Sequence, residues 1–467
     1  MGGTTLARGI GVAGALTLER LVRALGAPRL RGVARGAVTT ALRGQRLIPA
    51  APAWRAVRDL ILRPAACCPD GGAHSRFLHG YLELIERAGG VAAIGEYLRA
   101  ADPPAAAVRV EAFARIALLG ILRHEVLGRW RDLTGAPPVV LTDAQIAPYP
   151  DCDRDCAGCY SRDDRGGATP SGAHLAWLVD EAAACGACAV HVAGKGEPFL
   201  DARRGAALLD VIAARPHLLF TVATHGLAIT PELAARMGRL GNLLVLVSVD
   251  GPQPVHDARR GAGSFDRVQR ALVLLARSGA LFGYASLVAA TTAPAVITPE
   301  FVRAQAAAGC VMGVYSRYFP LAAARWEELA LGPVALAAYR AGLAEARRAA
   351  AIPLLDLDEM EAHTGCRARA GVSVYIDGVT GAVAPCIRVP FAPAACRLDP
   401  ARGIGLAEVL RHPFFTAYRA RPAHGSWCGA DLGAELGYVQ TALGAPSPRL
   451  AAYRDRARRA AREEVPS

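Results

Sequence analysis

From Val139 onward the chain alternates short apolar runs with longer stretches in which apolar residues recur every three or four positions. The runs Val139 to Leu141, Cys188 to Ala193, Leu218 to Ala223, Leu243 to Val249, Leu281 to Ala289 and Val311 to Tyr318 are rich in Val, Leu and Ile and read as buried strands. Between them, Ala173 to Ala184, Pro231 to Leu240, Ser264 to Ser278 and Pro299 to Ala308 read as helices. Strands alternating with helices predict parallel βαβ units, because parallel neighbours need a long crossover connection. Residues 1–135 follow a different pattern, successive helical segments with arginine-rich faces, as in Leu18-Glu19-Arg20-Leu21-Val22-Arg23-Ala24-Leu25. The pattern divides the chain into a basic helical region at 1–135, an α/β region at 136–345, a smaller cysteine-bearing extension at 346–435 and a helical tail at 436–467, whose stretch Leu450 to Glu464 reads as an exposed charged helix.

A chain of 467 residues accommodates one barrel-sized domain with additions at either end. Lys and Arg total 53 against 41 Asp and Glu, a net charge of +12, and Lys195 is the sole lysine. The arginines are spread throughout without an aromatic-interleaved basic run, so the charge does not predict nucleic-acid binding. An amphipathic arginine-rich helix either packs on a protein core or lies on an anionic bilayer surface, and for residues 1–135 both readings stand. Neither Gly9 to Leu18 nor Ile116 to Leu122 reaches the roughly 20 apolar residues that a membrane span requires. Arg8 has no arginine neighbour, so a twin-arginine signal is not read. Twelve cysteines at chemically sensible spacings, in a long chain without a convincing signal peptide, point to a reducing cytoplasm with peripheral contact at the inner membrane surface as an option. Cys67 and Cys68 are adjacent, their side chains diverge, and they read as structural.

The run Asp151-Cys152-Asp153-Arg154-Asp155-Cys156-Ala157-Gly158-Cys159-Tyr160 has the spacing C-x3-C-x2-C. Three thiolates on one tight loop suit a four-iron cubane with one iron lacking a protein ligand. A zinc loop would ordinarily pair its cysteines with a second close pair, and residues 160–184 offer only His174. Next comes Gly194-Lys195-Gly196-Glu197-Pro198, which is no phosphate loop because Lys195 is followed by Gly rather than Ser or Thr. Thr224-His225-Gly226 ends the third predicted strand and Ser248-Val249-Asp250-Gly251 the fourth, the ends where parallel α/β folds bind ligands. Taken alone, each of these is as readily a turn or a helix cap. Cys185, Cys188 and Cys310 adjoin apolar runs and read as core. Farther on, Cys366, Gly381 and Cys386 bracket an alternating stretch Val372 to Ile376, a turn at Asp377-Gly378 and a return at Ala382 to Ala384, which predicts a β-hairpin. Cys396 and Cys428 follow, the latter in the loop-like Ser426-Trp427-Cys428-Gly429.

The cysteine loop with its following aromatic Tyr160 resembles the radical S-adenosylmethionine superfamily, and the later motifs occur in that superfamily's order, covering about residues 137–430. Gly194 to Pro198 is similar to its Gly-Gly-Glu-Pro motif, with Lys195 standing where the common pattern has its first glycine, and Thr224 to Gly226 is similar to Thr-Asn-Gly. The resemblance implies a partial (β/α)6 barrel and an enzyme in which Cys152, Cys156 and Cys159 hold a 4Fe-4S cluster. Tyr160, Gly194, Gly196, Glu197, Pro198, Thr224, Ser248 and Asp250 would then lie at the S-adenosylmethionine. It also implies reductive cleavage to a 5′-deoxyadenosyl radical and an electron donor such as flavodoxin or ferredoxin. The spacing from Cys366 through Gly381 to Cys386 is similar to the opening of the SPASM or twitch extension, which implies an auxiliary 4Fe-4S cluster on Cys366, Cys386 and Cys428 with Cys396 as a further candidate. Zinc on the same four cysteines stays open. The substrate implied is a small molecule, a lipid or a ribosomal peptide. Residues 1–135 lack the strands of a winged-helix-like recognition module, which favours the first two over a peptide. A non-enzymatic iron-sulfur or zinc scaffold is the remaining alternative.

Overall fold

A nine-stranded sheet carries the molecule's architecture, in the order β7-β6-β5-β4-β3-β2-β1-β8-β9. The computed structural model describes residues 139–463 apart from 322–325, 365, 422–427 and 445–446. The expectations for residues 1–135, including the stripe Leu18 to Leu25, the stretch Ile116 to Leu122 and the pair Cys67 and Cys68, lie outside the described residues. The strands are β1 (Asp143–Ala147), β2 (Ala189–Val192), β3 (Leu219–Thr224), β4 (Leu243–Ser248), β5 (Phe282–Val288), β6 (Gly313–Arg317), β7 (Leu354–Asp356), β8 (Ser373–Asp377) and β9 (Val383–Ala384). All neighbours from β7 through β8 pair in parallel, and β9 turns back antiparallel on β8.

The helices used below are α1 (Gly172–Ala184), α2 (Ala202–Ala213), α3 (Pro231–Met237), α4 (Gln253–Arg260), α5 (Ser264–Ser278), α6 (Pro299–Ala307), α7 (Pro333–Ala349), α8 (Leu357–Thr364), α9 (Pro413–Ala420), α10 (Cys428–Ala442) and α11 (Pro448–Glu463). Their starts follow local chemistry. Ser171, Asp201, Thr230 and Thr298 each accept a backbone N–H at the first turn of α1, α2, α3 and α6, and Pro231 and Pro299 occupy the position where a missing N–H costs nothing. The strand register makes the core. Ile376, Ile146, Val192, Val222, Val245 and Phe282 are successive partners across the sheet and all are buried. The next row, Tyr375, Gln145, His191, Thr221 and Leu244, is placed on the opposite face by the two-residue period and is more polar.

The first strand begins two residues after the predicted run Val139 to Leu141. Those residues are buried, but the parallel ladder starts at Asp143, because Leu141 and Thr142 spend their N–H groups on the Cys185 and Val372 carbonyls. The C-terminal hairpin is present as β8 and β9 and extends the main sheet, since β8 runs alongside β1 from Asp143↔Ser373 to Ala147↔Asp377. No helix among the described residues is long and apolar enough to cross a membrane.

Candidate functional site

The chemistry-bearing residues collect at the carboxyl ends of β1 to β4 and β8, where a parallel sheet opens toward ligand. The loop after β1 carries Cys152, Cys156 and Cys159 as free thiols. It is shaped by a turn in which the Cys156 carbonyl accepts the Cys159 N–H at 3.1 Å, and by Gly158 at φ +72°, where a Cβ would sit 2.6 Å from Leu329 Cδ1. Arg204 of α2 anchors the start of the loop, donating to Asp151 Oδ2 at 2.9 Å with its guanidinium 5.3 Å from the Tyr149 ring centroid. The end of α4 supports its middle, because the Ala157 N–H donates to the Arg259 carbonyl at 3.0 Å. Burial pushes the Cys152 thiol up to about 11, with the Glu197 and Cys156 charges adding and the Arg154 N–H opposing. A metal that binds there must therefore displace a tightly held proton. Tyr160 packs its ring 5.1 Å from that of Phe319, and burial holds its phenol well above the usual range.

Gly194, Lys195, Gly196, Glu197 and Pro198 form the loop after β2. Gly196 has φ +67° and lies against the cysteine loop, where a Cβ would meet the Asp151 carbonyl at 2.8 Å. The Glu197 N–H donates to that same carbonyl at 2.9 Å. The Glu197 carboxylate is committed inside the protein. Oε1 accepts the Phe199 N–H at 3.0 Å and the Thr224 hydroxyl, and Oε2 accepts the His225 N–H at 2.9 Å. Glu197 thus ties the β2 loop to the end of β3. Glu197→Gln turns one acceptor into a donor facing other donors, and the variant is expected to be less stable by about 1–3 kcal/mol. Urea unfolding measures this, and an unchanged midpoint would remove Glu197 as the tie.

His225 was not among the residues expected to touch the cofactor, yet it reaches the cysteine loop. Its Nδ1 accepts the Leu227 N–H at 3.0 Å, which leaves Nε2 to donate to Asp153 Oδ1 at 2.8 Å. Cys152, Asp153 and His225 are the one close group of potential ligand atoms among the described residues, within 4.8 Å of one another, and the hydrogen bond accounts for two of the three. At the end of β4, Ser248 is half-buried. Asp250 is fully buried and committed. Oδ2 receives Arg259 and Arg260, and Oδ1 accepts the Leu287 N–H at 2.8 Å. Burial alone would raise its pKa, but Arg259, Arg260 and the Leu287 N–H outweigh it and hold the carboxyl well below the usual range. The Ala157 N–H bond to the Arg259 carbonyl sets the end of α4 against the cysteine loop.

At the C-terminal cysteines, Cys366 and Cys386 are partly buried against the core and Cys396 is 1% exposed, with burial pushing its thiol up to about 11. The Cys396 carbonyl accepts the Val383 N–H of β9 at 2.9 Å. Arg369, three residues after Cys366, meets Glu435 of α10 at 3.1 Å. Cys428 opens α10 rather than lying in a loop, and its side chain is outside the described set. Cys185 and Cys310 are core residues, their thiols pushed up to about 12 by burial.

The donor sets are thiols, the ligand chemistry that iron-sulfur clusters take and that zinc shares: Cys152, Cys156 and Cys159 on the loop after β1, and Cys366, Cys386 and Cys396 farther along the chain.

Comparison with known proteins agrees with this geometry. The radical SAM superfamily matches residues 146–283, a span that runs from β1 to β5 and includes the cysteine loop. The mycofactocin maturase MftC of Mycobacterium tuberculosis is 42% identical over 73 residues, 15% of this chain and 18% of that protein. MftC of Mycolicibacterium smegmatis is 41% identical over the same length. The chain therefore aligns with less than a fifth of these curated relatives. Among solved structures, Streptococcus suis SuiB bound to its precursor peptide SuiA superposes with a TM-score of 0.53 at 13% identity, covering 65% of this chain and 71% of SuiB. SuiB alone gives 0.51 at 13% identity, covering 75% and 83%. At that identity the likeness is one of fold.

Proposed function

With residues 146–283 a radical SAM superfamily domain, we propose that the chain cleaves S-adenosylmethionine reductively and directs the resulting radical to a peptide substrate. The observation that carries the first part is the C-x3-C-x2-C loop at the end of β1, packed against Gly196 and, through His225, the β3 end, with the Arg259 carbonyl of α4 bonded to its middle. Cys152, Cys156 and Cys159 would hold the 4Fe-4S cluster, which when bound would supply the electron for reductive cleavage of S-adenosylmethionine and so the radical chemistry at the substrate. The chain's own residues do the rest. Gly194 and Gly196 let the β2 loop pack directly on β8 and on the cysteine loop, Ser248 stands half-buried at the end of β4, and Tyr160, next to Cys159, packs its ring on Phe319. Glu197 and Thr224 shape the β2 and β3 ends instead of offering free groups, and Asp250 holds the two arginines of α4. Cys366, Cys386 and Cys428, with Cys396, are the proposed holders of an auxiliary cluster. Support comes from the β8–β9 hairpin and from α10, which starts at Cys428 and whose Glu435 pairs with Arg369.

A peptide is preferred to a small molecule or lipid because the curated relatives are maturases and the matching fold holds a precursor peptide in SuiB. The lipid reading rests on the arginine-rich residues 1–135. One experiment separates the two. The full-length reconstituted protein is offered a peptide library and, separately, anionic vesicles, and 5′-deoxyadenosine is measured. Stimulation by a peptide supports the proposal. Stimulation by vesicle lipid alone, with none by peptide, overturns its substrate class.

A further inference from the structure

Lys195 is the only lysine in the chain and it is 4% exposed, a burial that an ammonium tolerates only when paired. It sits between Gly194 at φ +131° and Gly196 at φ +67°. A Cβ on Gly194 would meet Tyr375 of β8 at 3.1 Å, and one on Gly196 would meet the Asp151 carbonyl at 2.8 Å. The backbone on either side is thus pressed between the hairpin and the cysteine loop. The Lys195 side chain makes the same connection with charge. Nζ lies 2.7 Å from Asp377 Oδ2, at the end of β8, and 3.6 Å from Asp164 Oδ2, in the turn that follows the cysteine loop. Asp164 continues outward to Arg449 of α11 at 3.1 Å. Lys195, Asp164 and Arg449 line a small pocket with Tyr160, Ser161 and Tyr375.

We infer that Lys195 is a positioning residue, which through Asp377 locks the Gly194–Glu197 loop in its cofactor-binding shape and couples that loop to the hairpin between Cys366 and Cys386. The inference rests on the radical SAM reading above. The hairpin turn is itself seated on the barrel, since the Gly378 N–H donates to the Ala147 carbonyl at 2.9 Å and the Gly378 carbonyl lies 3.1 Å from His174 Nε2. With the hairpin fixed in this way, Asp377 offers Lys195 a rigid anchor. A loop held in its bound shape binds more tightly than a loose one because less ordering is left to do on binding.

The test uses the full chain, reconstituted anaerobically, with the S-adenosylmethionine dissociation constant from equilibrium dialysis, iron per chain, and the change S-adenosylmethionine makes in the electron paramagnetic resonance signal of the reduced cluster. Lys195→Met and Asp377→Asn are each expected to weaken binding by about tenfold or more at unchanged iron, with K195M combined with D377N no worse than either alone. Lys195→Arg, which keeps the charge, is expected to restore most of the affinity. If Lys195→Met fails to fold, Lys195→Gly and Asp377→Asn carry the same expectation. Unchanged affinity in Asp377→Asn, or wild-type affinity in Lys195→Gly, would overturn the inference even if the unfolding midpoint falls. A wild-type protein that binds no S-adenosylmethionine would instead overturn the radical SAM reading itself.

Discussion

Cys156→Ala, reconstituted anaerobically, is expected to carry about four fewer irons per chain than the wild type and to form 5′-deoxyadenosine only at background level. Cys156 is 8% exposed in the middle of the cysteine loop, which Gly158, Arg204 and the Arg259 carbonyl help to shape. The fold should therefore survive the substitution while the site does not. Cys185→Ala is the matching control, because Cys185 is 1% exposed in the core at the end of α1 and its removal should lower stability and leave iron unchanged. Undiminished cleavage by the Cys156 variant would end the assignment of this loop.

Asp250→Ala is expected to cost about 3–5 kcal/mol of stability, because it leaves two buried guanidiniums without their counter-ion. Asp250 is 0% exposed, and Arg259 and Arg260 show 8% and 13% side-chain exposure. The pH dependence carries a distinguishing sign. With its pKa held below the usual carboxylate value, Asp250 stays ionised in the folded protein while the unfolded chain takes up a proton near pH 4. Its contribution is complete above that value and declines as the pH falls toward the depressed folded value. Urea midpoints should consequently fall more steeply below about pH 4 in the wild type than in Asp250→Asn, which has no such proton to gain. Parallel curves would show that the carboxylate does not act as the counter-ion. The cysteine loop should loosen too, since Arg259 both binds Asp250 and accepts the Ala157 N–H.

Much of this was legible in the sequence because its causes are local. The strands declared themselves as aliphatic runs, and the observed β2 to β6 fall inside or within a residue of them. Helix α3 begins at Pro231 after Thr230, and α6 at Pro299 after Thr298, where the cap and the proline dictate a start. The hairpin followed from alternation around Asp377-Gly378. Long-range pairing was not legible. Nothing in Val372 to Ile376 announces that it will hydrogen-bond to β1, because an alternating strand fits any edge of compatible polarity. Strand β7 has three residues and was not read as a strand. The same limit governed the site. Glu197 was expected at the cofactor from its likeness to a motif and Asp250 from its place at a strand end, and neither pattern announces the protein partners of their oxygens, Phe199, Thr224 and His225 in one case and Arg259, Arg260 and Leu287 in the other. Which groups a buried carboxylate meets depends on helices that pack from far along the chain. Lys195 stood out as a departure from a motif, and only the fold supplied its partner 182 residues away in Asp377.

The measurement that tests the central claim most directly is anaerobic reconstitution of the whole chain with iron and sulfide, followed by dithionite and S-adenosylmethionine. Iron content and 5′-deoxyadenosine are the readouts. The account predicts about eight irons per chain, consistent with two cubanes, together with 5′-deoxyadenosine that depends on reductant. Tightly bound zinc with no 5′-deoxyadenosine would contradict it.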